Sequence, residues 1–254
     1  MKRALGLFIL LFPISAVAAE CDRALLQAVS ALARTSYTWE TTTRQRFHGE
    51  TTEPRLNANA ARALQGRTAP NGFTQITLLP SRDLAVAVTA LFHEGDVVAQ
   101  TPLGWRRRMD LGHVPGGDRE VTVEGKKVRL ARVFSEALKA TTLLPLTEEL
   151  FDLIVDLKSC RTERGLIVAE LRDATIEKWW GDVQAKRAPE IHGTVIFKLG
   201  DEGVTEYYVV LGIGFPNPGT KKVAWTLQQW STRITGIGST TIDPPEEALN
   251  VLDQ

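Results

Sequence analysis

The chain has 254 residues, with 30 Lys and Arg against 30 Asp and Glu. That balance excludes the strongly basic face a nucleic-acid binder needs, so no nucleic acid is expected as a partner. Two cysteines and four scattered histidines offer no ligand spacing for a metal.

Met1 to Ala19 has Lys2 and Arg3, an apolar run from Ala4 to Phe12, then Pro13 and the small residues Ala16 to Ala19, the layout of a secretory signal peptide. The run is shorter than the roughly 20 residues that span a bilayer, so no stable membrane span is expected. The reading is residues 1–19 as signal and 20–254 as a single exported domain, acting in the periplasm or outside the cell. Removing the signal takes two positive charges and leaves the mature chain slightly acidic. Cys21 and Cys160 then meet an oxidising compartment, where a bridge is favoured over two free thiols. It would close a loop worth about 5 kcal/mol in the chain-entropy picture.

Asp22 to Arg34 places Leu25, Leu26, Val29 and Leu32 at helical spacing. The next stretch, Ser36 to Phe47, alternates with a period of two: Tyr37, Trp39, Thr41, Thr43, Gln45 and Phe47 against Thr38, Glu40, Thr42, Arg44 and Arg46. This predicts a strand with one covered and one wet face. The residues after it read as a polar connection with a weak helical turn at Asn57 to Gln65. Strands are predicted at Phe73–Leu79, Leu84–Phe92, Asp96–Thr101 and Gly104–Asp110, joined by hairpins. Arg106 to Arg108 reads as solvated charge. The glycines around Gly116 and Gly125 match no phosphate-binding loop, so no nucleotide cofactor is expected.

Two central helices are predicted. The first runs over Val128–Ala140 with Leu130, Val133, Phe134, Ala137 and Leu138 in one stripe. The second runs from Thr147, its N-cap, to Lys158, with Leu150, Phe151, Ile154 and Val155 apolar. A strand at Gly165–Leu171 precedes a short helix, Asp173–Trp180, that ends on Trp179 and Trp180. Strands at Glu190–Leu199, Val204–Ile213 and Lys221–Thr235 follow. In the last of these the apolar positions switch from odd (Val223, Trp225, Leu227) to even (Trp230, Ile234), which predicts a β-bulge near Gln228-Gln229 and a bent strand. An edge strand at Thr240–Ile242 and a helical turn at Glu246–Leu252 close the chain.

This order of elements resembles that of the LolA, LolB and LppX carriers of periplasmic lipoproteins and lipids. SYTWETTTR and TRITGIGSTTIDPPEEALNVL also look like segments of uncharacterised secreted bacterial proteins of that shape. The resemblance implies an α+β fold, a strongly bent antiparallel sheet or half-barrel whose concave face is covered by helices. It also implies a cavity for acyl chains, for which Tyr37, Trp39, Phe73, Trp105, Phe134, Leu138, Phe151, Ile154, Tyr207, Trp225 and Trp230 are the candidate lining residues. The expected function is a non-enzymatic, monomeric periplasmic binding or carrier protein for a lipid-like or other apolar ligand. The alternative is a cell-envelope interaction domain with a filled core and a protein partner. No nucleophile elbow or triad signature points to an enzyme.

Overall fold

The computed structural model describes residues 14–48, 55–81, 85–180, 190–216 and 223–253. Most of the signal segment lies outside them. Five α-helices are described: α1 (Ile14–Leu32), α2 (Leu130–Ala140), α3 (Leu146–Val155), α4 (Asp173–Trp180) and α5 (Glu246–Leu252). The strands of the first half are β1 (Tyr37–His48), β2 (Arg55–Thr68), β3 (Thr74–Leu78), β4 (Val88–His93), β5 (Asp96–Thr101) and β6 (Gly104–Arg107). A separate ribbon pairs β7 (Glu120–Val123) with β8 (Lys126–Arg129). The second half supplies β9 (Leu157–Glu163), β10 (Leu166–Leu171), β11 (Glu190–Gly200), β12 (Gly203–Pro216) and β13 (Val223–Thr235). No described helix is long and apolar enough to cross a membrane.

Eleven strands form one antiparallel sheet in the order β6-β5-β4-β3-β2-β1-β13-β12-β11-β10-β9. Each half of the chain is a meander, and β1 joins them by pairing with β13 from Thr38↔Thr235 to His48↔Trp225. The expected half-barrel is not found: the sheet is open, with β6 and β9 as its edges, and is not strongly curled. The bend expected within β13 rested on a bulge, yet β13 pairs with β1 and β12 in unbroken register. Its odd and even apolar residues therefore lie on opposite faces, and the change of phase is a change of face. Register shifts fall instead between Thr43 and Gln45 of β1, Glu170 and Leu171 of β10, and Lys198 and Leu199 of β11.

Strands β2, β8 and β9 were not expected. Asn57 to Gln65 belongs to β2, held by its ladders to β1 and β3 rather than by its own weak β-propensity. Leu157 to Glu163, read in part as the end of the second central helix, is the edge strand β9. Conversely, Thr240 to Ile242 forms no strand.

Cross-strand rows define the covered face. One is Thr41, Thr232, Tyr207, Phe197 and Ile167. Another is Tyr37, Thr68, Thr74, Phe92 and Val97. Helices α1 and α3 cover the first with Leu25, Val29, Leu32, Leu146, Leu150 and Leu153, all at most 1% exposed. The period of these residues lays one apolar stripe along each helix. Trp39 lies flat on Gly66, its partner across the ladder, where a Cβ would meet the indole. Helix α1 approaches the start of β12 so closely that a Cβ on Gly203 would stand 2.6 Å from the Ala28 carbonyl oxygen. A disulfide between Cys21 and Cys160 ties the same helix to β9.

Helix α2 covers the β4–β5 end of this face through Leu130, Val133, Phe134 and Ala137. Helix α5 packs on the opposite face of that end, over Leu91, Val98 and Trp105. Arg107 of β6 donates from Nε to the Val251 carbonyl oxygen at 3.0 Å and from Nη2 to that of Leu252 at 3.2 Å. A guanidinium thus meets the unpaired carbonyls of the helix C-terminus.

Candidate functional site

The eleven expected cavity residues divide into three groups. Tyr37, Trp39, Phe151, Ile154, Tyr207 and Trp230 gather in the core beneath α1 and α3. Phe134 and Leu138 belong to the α2 core. Phe73 and Trp105 pack with α5, and Trp225 stacks on His192 with centroids 5.1 Å apart. Trp105 and Trp225 are thus on the face away from α1 to α3. A parity count over a supposed bulge put Trp225 on the wrong side. Beneath α1 and α3 the interior is packed, with Tyr37, Tyr207, Phe197, Leu25, Leu32, Leu150 and Leu153 each under 2% exposed.

A polar seam crosses this packed region under the first turn of α3. The helix begins at Leu146 with Pro145 before it and no side-chain cap, so Thr147 is not the N-cap its hydroxyl suggested. Instead Thr147 faces Tyr37, and Glu149 points down to the sheet. The Tyr207 hydroxyl donates to Glu149 Oε1 at 2.7 Å. Part of the Glu149 side chain reaches solvent, but its carboxyl meets a tyrosine that is 1% exposed, so the ionisable end is the buried end.

Burial lifts the Glu149 carboxyl above its ordinary value, and the Tyr207 hydrogen bond only partly offsets it. Tyr207 is held well above 10.0, first by burial and then by the Glu149 charge. Across the ladder from Tyr207, Thr232 and Thr41 share a hydrogen bond of 2.7 Å between their hydroxyls. Burial also raises Tyr37. Its hydroxyl makes no hydrogen bond among the described residues, and the neighbouring Thr68 and Thr147 temper the rise. Every titratable group of the seam therefore favours its protonated form. Nothing in the sequence signalled this grouping, because Glu149 and Tyr207 are 58 residues apart.

Further along the covered face, among the described residues, α4 takes the place of α1 and α3. Strands β1, β12 and β13 have 12, 14 and 13 residues, and Val223 to Ser231 are all half-buried. Here Trp179 of α4 leans on Trp230 of β13, centroids 5.3 Å apart. Ile191 and Phe151 pack beside them at the margin of the core.

Three surface hollows stand out. One of about 370 Å³ opens where α2 and α3 part. One of about 400 Å³ lies between α4 and β10–β11, with Lys158, Glu170, Asp173 and His192 in its walls. One of about 200 Å³ lies on the opposite sheet face among Glu40, Gln65, Arg67 and Arg233. Among the described residues, Cys21, Asp22 and Cys160 bring possible metal-ligand atoms within 4.8 Å of one another. The disulfide engages both sulfurs, so neither is a thiolate, the form that ligates zinc.

No family model matches the chain, and no curated protein does. Among solved structures it is similar to a DUF1329 family protein from Desulfovibrio piger, at 7% identity and a TM-score of 0.31, over 90% of this chain and 95% of that one. It is also similar to lipovitellin, at 7% identity and a TM-score of 0.30, over 84% of this chain but only 26% of that one. The likeness is weak and extends to a β-rich fold only. Membership of the LolA, LolB or LppX carriers is not shown.

Proposed function

We propose that this chain is a non-enzymatic, exported binding protein that holds a lipid-like or other apolar ligand against the sheet face beyond α1 and α3. The observation that carries the reading is the Trp179–Trp230 pair, two half-buried indoles at the point where the packed core ends. Indoles suit such a margin, since each offers a large apolar body and one polar N–H. The ligand would lie along an open platform rather than within a closed cavity, because the residues beneath α1 and α3 fill their own space. The Cys21–Cys160 bridge fits an oxidising compartment outside the cytoplasm. The absence of catalysis in this reading rests on the seam, whose Glu149, Tyr207 and Tyr37 all favour their protonated forms in a closed interior and offer no base.

Titration of the purified protein with palmitate, followed by tryptophan fluorescence, tests the proposal. Trp230→Ala should weaken binding by about tenfold or more, the effect of removing a central aromatic anchor, with the circular dichroism of the fold retained. If palmitate leaves the fluorescence unchanged, or if the variant binds it equally well, the proposal fails. A second reading, an envelope interaction domain with a filled core, draws on the packed interior and on β9, an edge strand of the sheet among the described residues, where strand addition would take place. Crosslinks from β9 to an envelope protein, together with no palmitate response, would favour it.

A further inference from the structure

Among the described residues, the sheet face turned away from α1 and α3 is covered by α5 at its β4–β6 end and by no helix across β1, β13, β12 and β11. That bare stretch carries Ile196, Tyr208, Val210, Trp225 and Leu227, all half-buried. A sheet face with apolar groups is stable when a second layer lies on it.

One row of the same face is charged. The ladders set Glu40 of β1 beside Arg233 of β13, Arg233 beside Glu206 of β12, and Glu206 beside Lys198 of β11. The signs therefore run negative, positive, negative, positive across four adjacent strands. Cross-strand neighbours lie about 5 Å apart at Cβ, near enough to pair. Yet none of the four closes an ion pair with another described residue.

Such a row is complementary to its own reverse. A two-fold axis running along the strands between β13 and β12 lays Arg233 over Glu206 of a second copy and Glu40 over Lys198, each contact made twice. A two-fold axis across the strands would set each charge over its own counterpart. The first operation also places β9 of the second copy over β3, short of the strands on which α5 stands, so the helix does not block it. Four strands about 4.8 Å apart with eleven-residue ladders at about 3.4 Å per residue make a field of roughly 700 Å². Each partner in a standard interface gives about 800 Å². The sheet is not strongly curled, and two such faces pack with their strands within about 30° of one another.

We propose that the chain forms a two-fold dimer through this face, rather than the monomer expected from the sequence. The surface lies on the side away from Trp179 and Trp230, so it holds or fails independently of the palmitate experiment.

Sedimentation velocity of the purified protein over a range of concentrations tests it. A monomer–dimer equilibrium is expected, and it should weaken as salt is added. Arg233→Glu should raise the dimer Kd about tenfold or more at low ionic strength, because it sets like charges against each other twice in the dimer. Glu206→Arg should do the same. The two substitutions together restore opposite charge across the interface, so the doubly exchanged protein should dimerise again. Circular dichroism checks that each variant keeps its fold. A monomer at every concentration, a dimer indifferent to Arg233→Glu, as pairing through the β9 edge would give, or a folded double variant as weak as the single ones would each overturn the proposal.

Discussion

Replacing Glu149 by glutamine separates the charge of the seam from its shape. The carboxyl is lifted above its ordinary value of 4.5, chiefly by burial. Below that pH the folded and unfolded chains both hold the proton, and the protonated group contributes its full stability. Between 4.5 and the raised value the folded chain keeps a proton that the unfolded chain has released, so stability falls as pH rises. Once the pH passes the raised value the loss is complete. Each unit of elevation corresponds to about 1.4 kcal/mol. The amide of Glu149→Gln would keep an acceptor for the Tyr207 hydroxyl and never ionise. The variant should therefore match the wild type near pH 4 and gain on it by about 1.4 kcal/mol per pH unit until the raised value is reached. Urea unfolding from about pH 4 to pH 8, read as midpoints at constant m, measures the difference. A difference that stays flat across this range, or that favours the wild type as pH rises, refutes the account.

Two further outcomes test how α1 is held. Gly203 has φ of 128°, and its Cβ would stand 2.6 Å from the Ala28 carbonyl, so Gly203→Ala should cost about 2–4 kcal/mol from backbone strain and overpacking; an unchanged urea midpoint would show that the helix does not rest on β12 at this distance. Reduction of Cys21–Cys160, or Cys160→Ser, should cost up to about 5 kcal/mol, since the bridge spans a separation of 139 residues, and an unmoved midpoint in the presence of dithiothreitol would contradict it.

What could be read in advance followed the strength of local pattern. Tyr37 to Thr43 alternates strictly and is a strand; Leu130 to Ala140 and the apolar stripe of α1 recur at helical spacing and are helices. The stretch from Arg55 to Thr68 is Asn- and Ala-rich and owes its strand to the ladders on either side, a non-local cause that its own residues do not display. Edge strand β9 was obscured for a related reason: Lys158, Ser159, Arg161 and Thr162 are exposed and alternate only weakly with Leu157 and Cys160. In β13 the pattern was visible but ambiguous, since a bulge and a change of face give the same apolar spacing. Only the register distinguishes them. Two acidic residues, Glu148 and Glu149, stand in the first turn of α3, where the helix dipole favours negative charge, and Glu148 is exposed as that role requires. Glu149 differs because Tyr207 happens to lie beneath it, and that is decided by how α3 crosses β12.

The change of face in β13 also bears on where a ligand can lie. With a bulge, every large apolar residue of the strand would turn toward the helices, and Trp225 and Trp230 would line one cavity. In unbroken register Trp230 meets Trp179 on the helix side, while Trp225 meets His192 on the other. The close approach of Trp225 to Gly214 and Gly212 shows that the second indole lies down on its own sheet, where small residues make room for it. It covers the backbone of β12 and leaves Trp230 as the indole of β13 on the side of α4. Binding by this platform should therefore be sensitive to Trp230 and indifferent to Trp225, a contrast that a closed half-barrel would not produce.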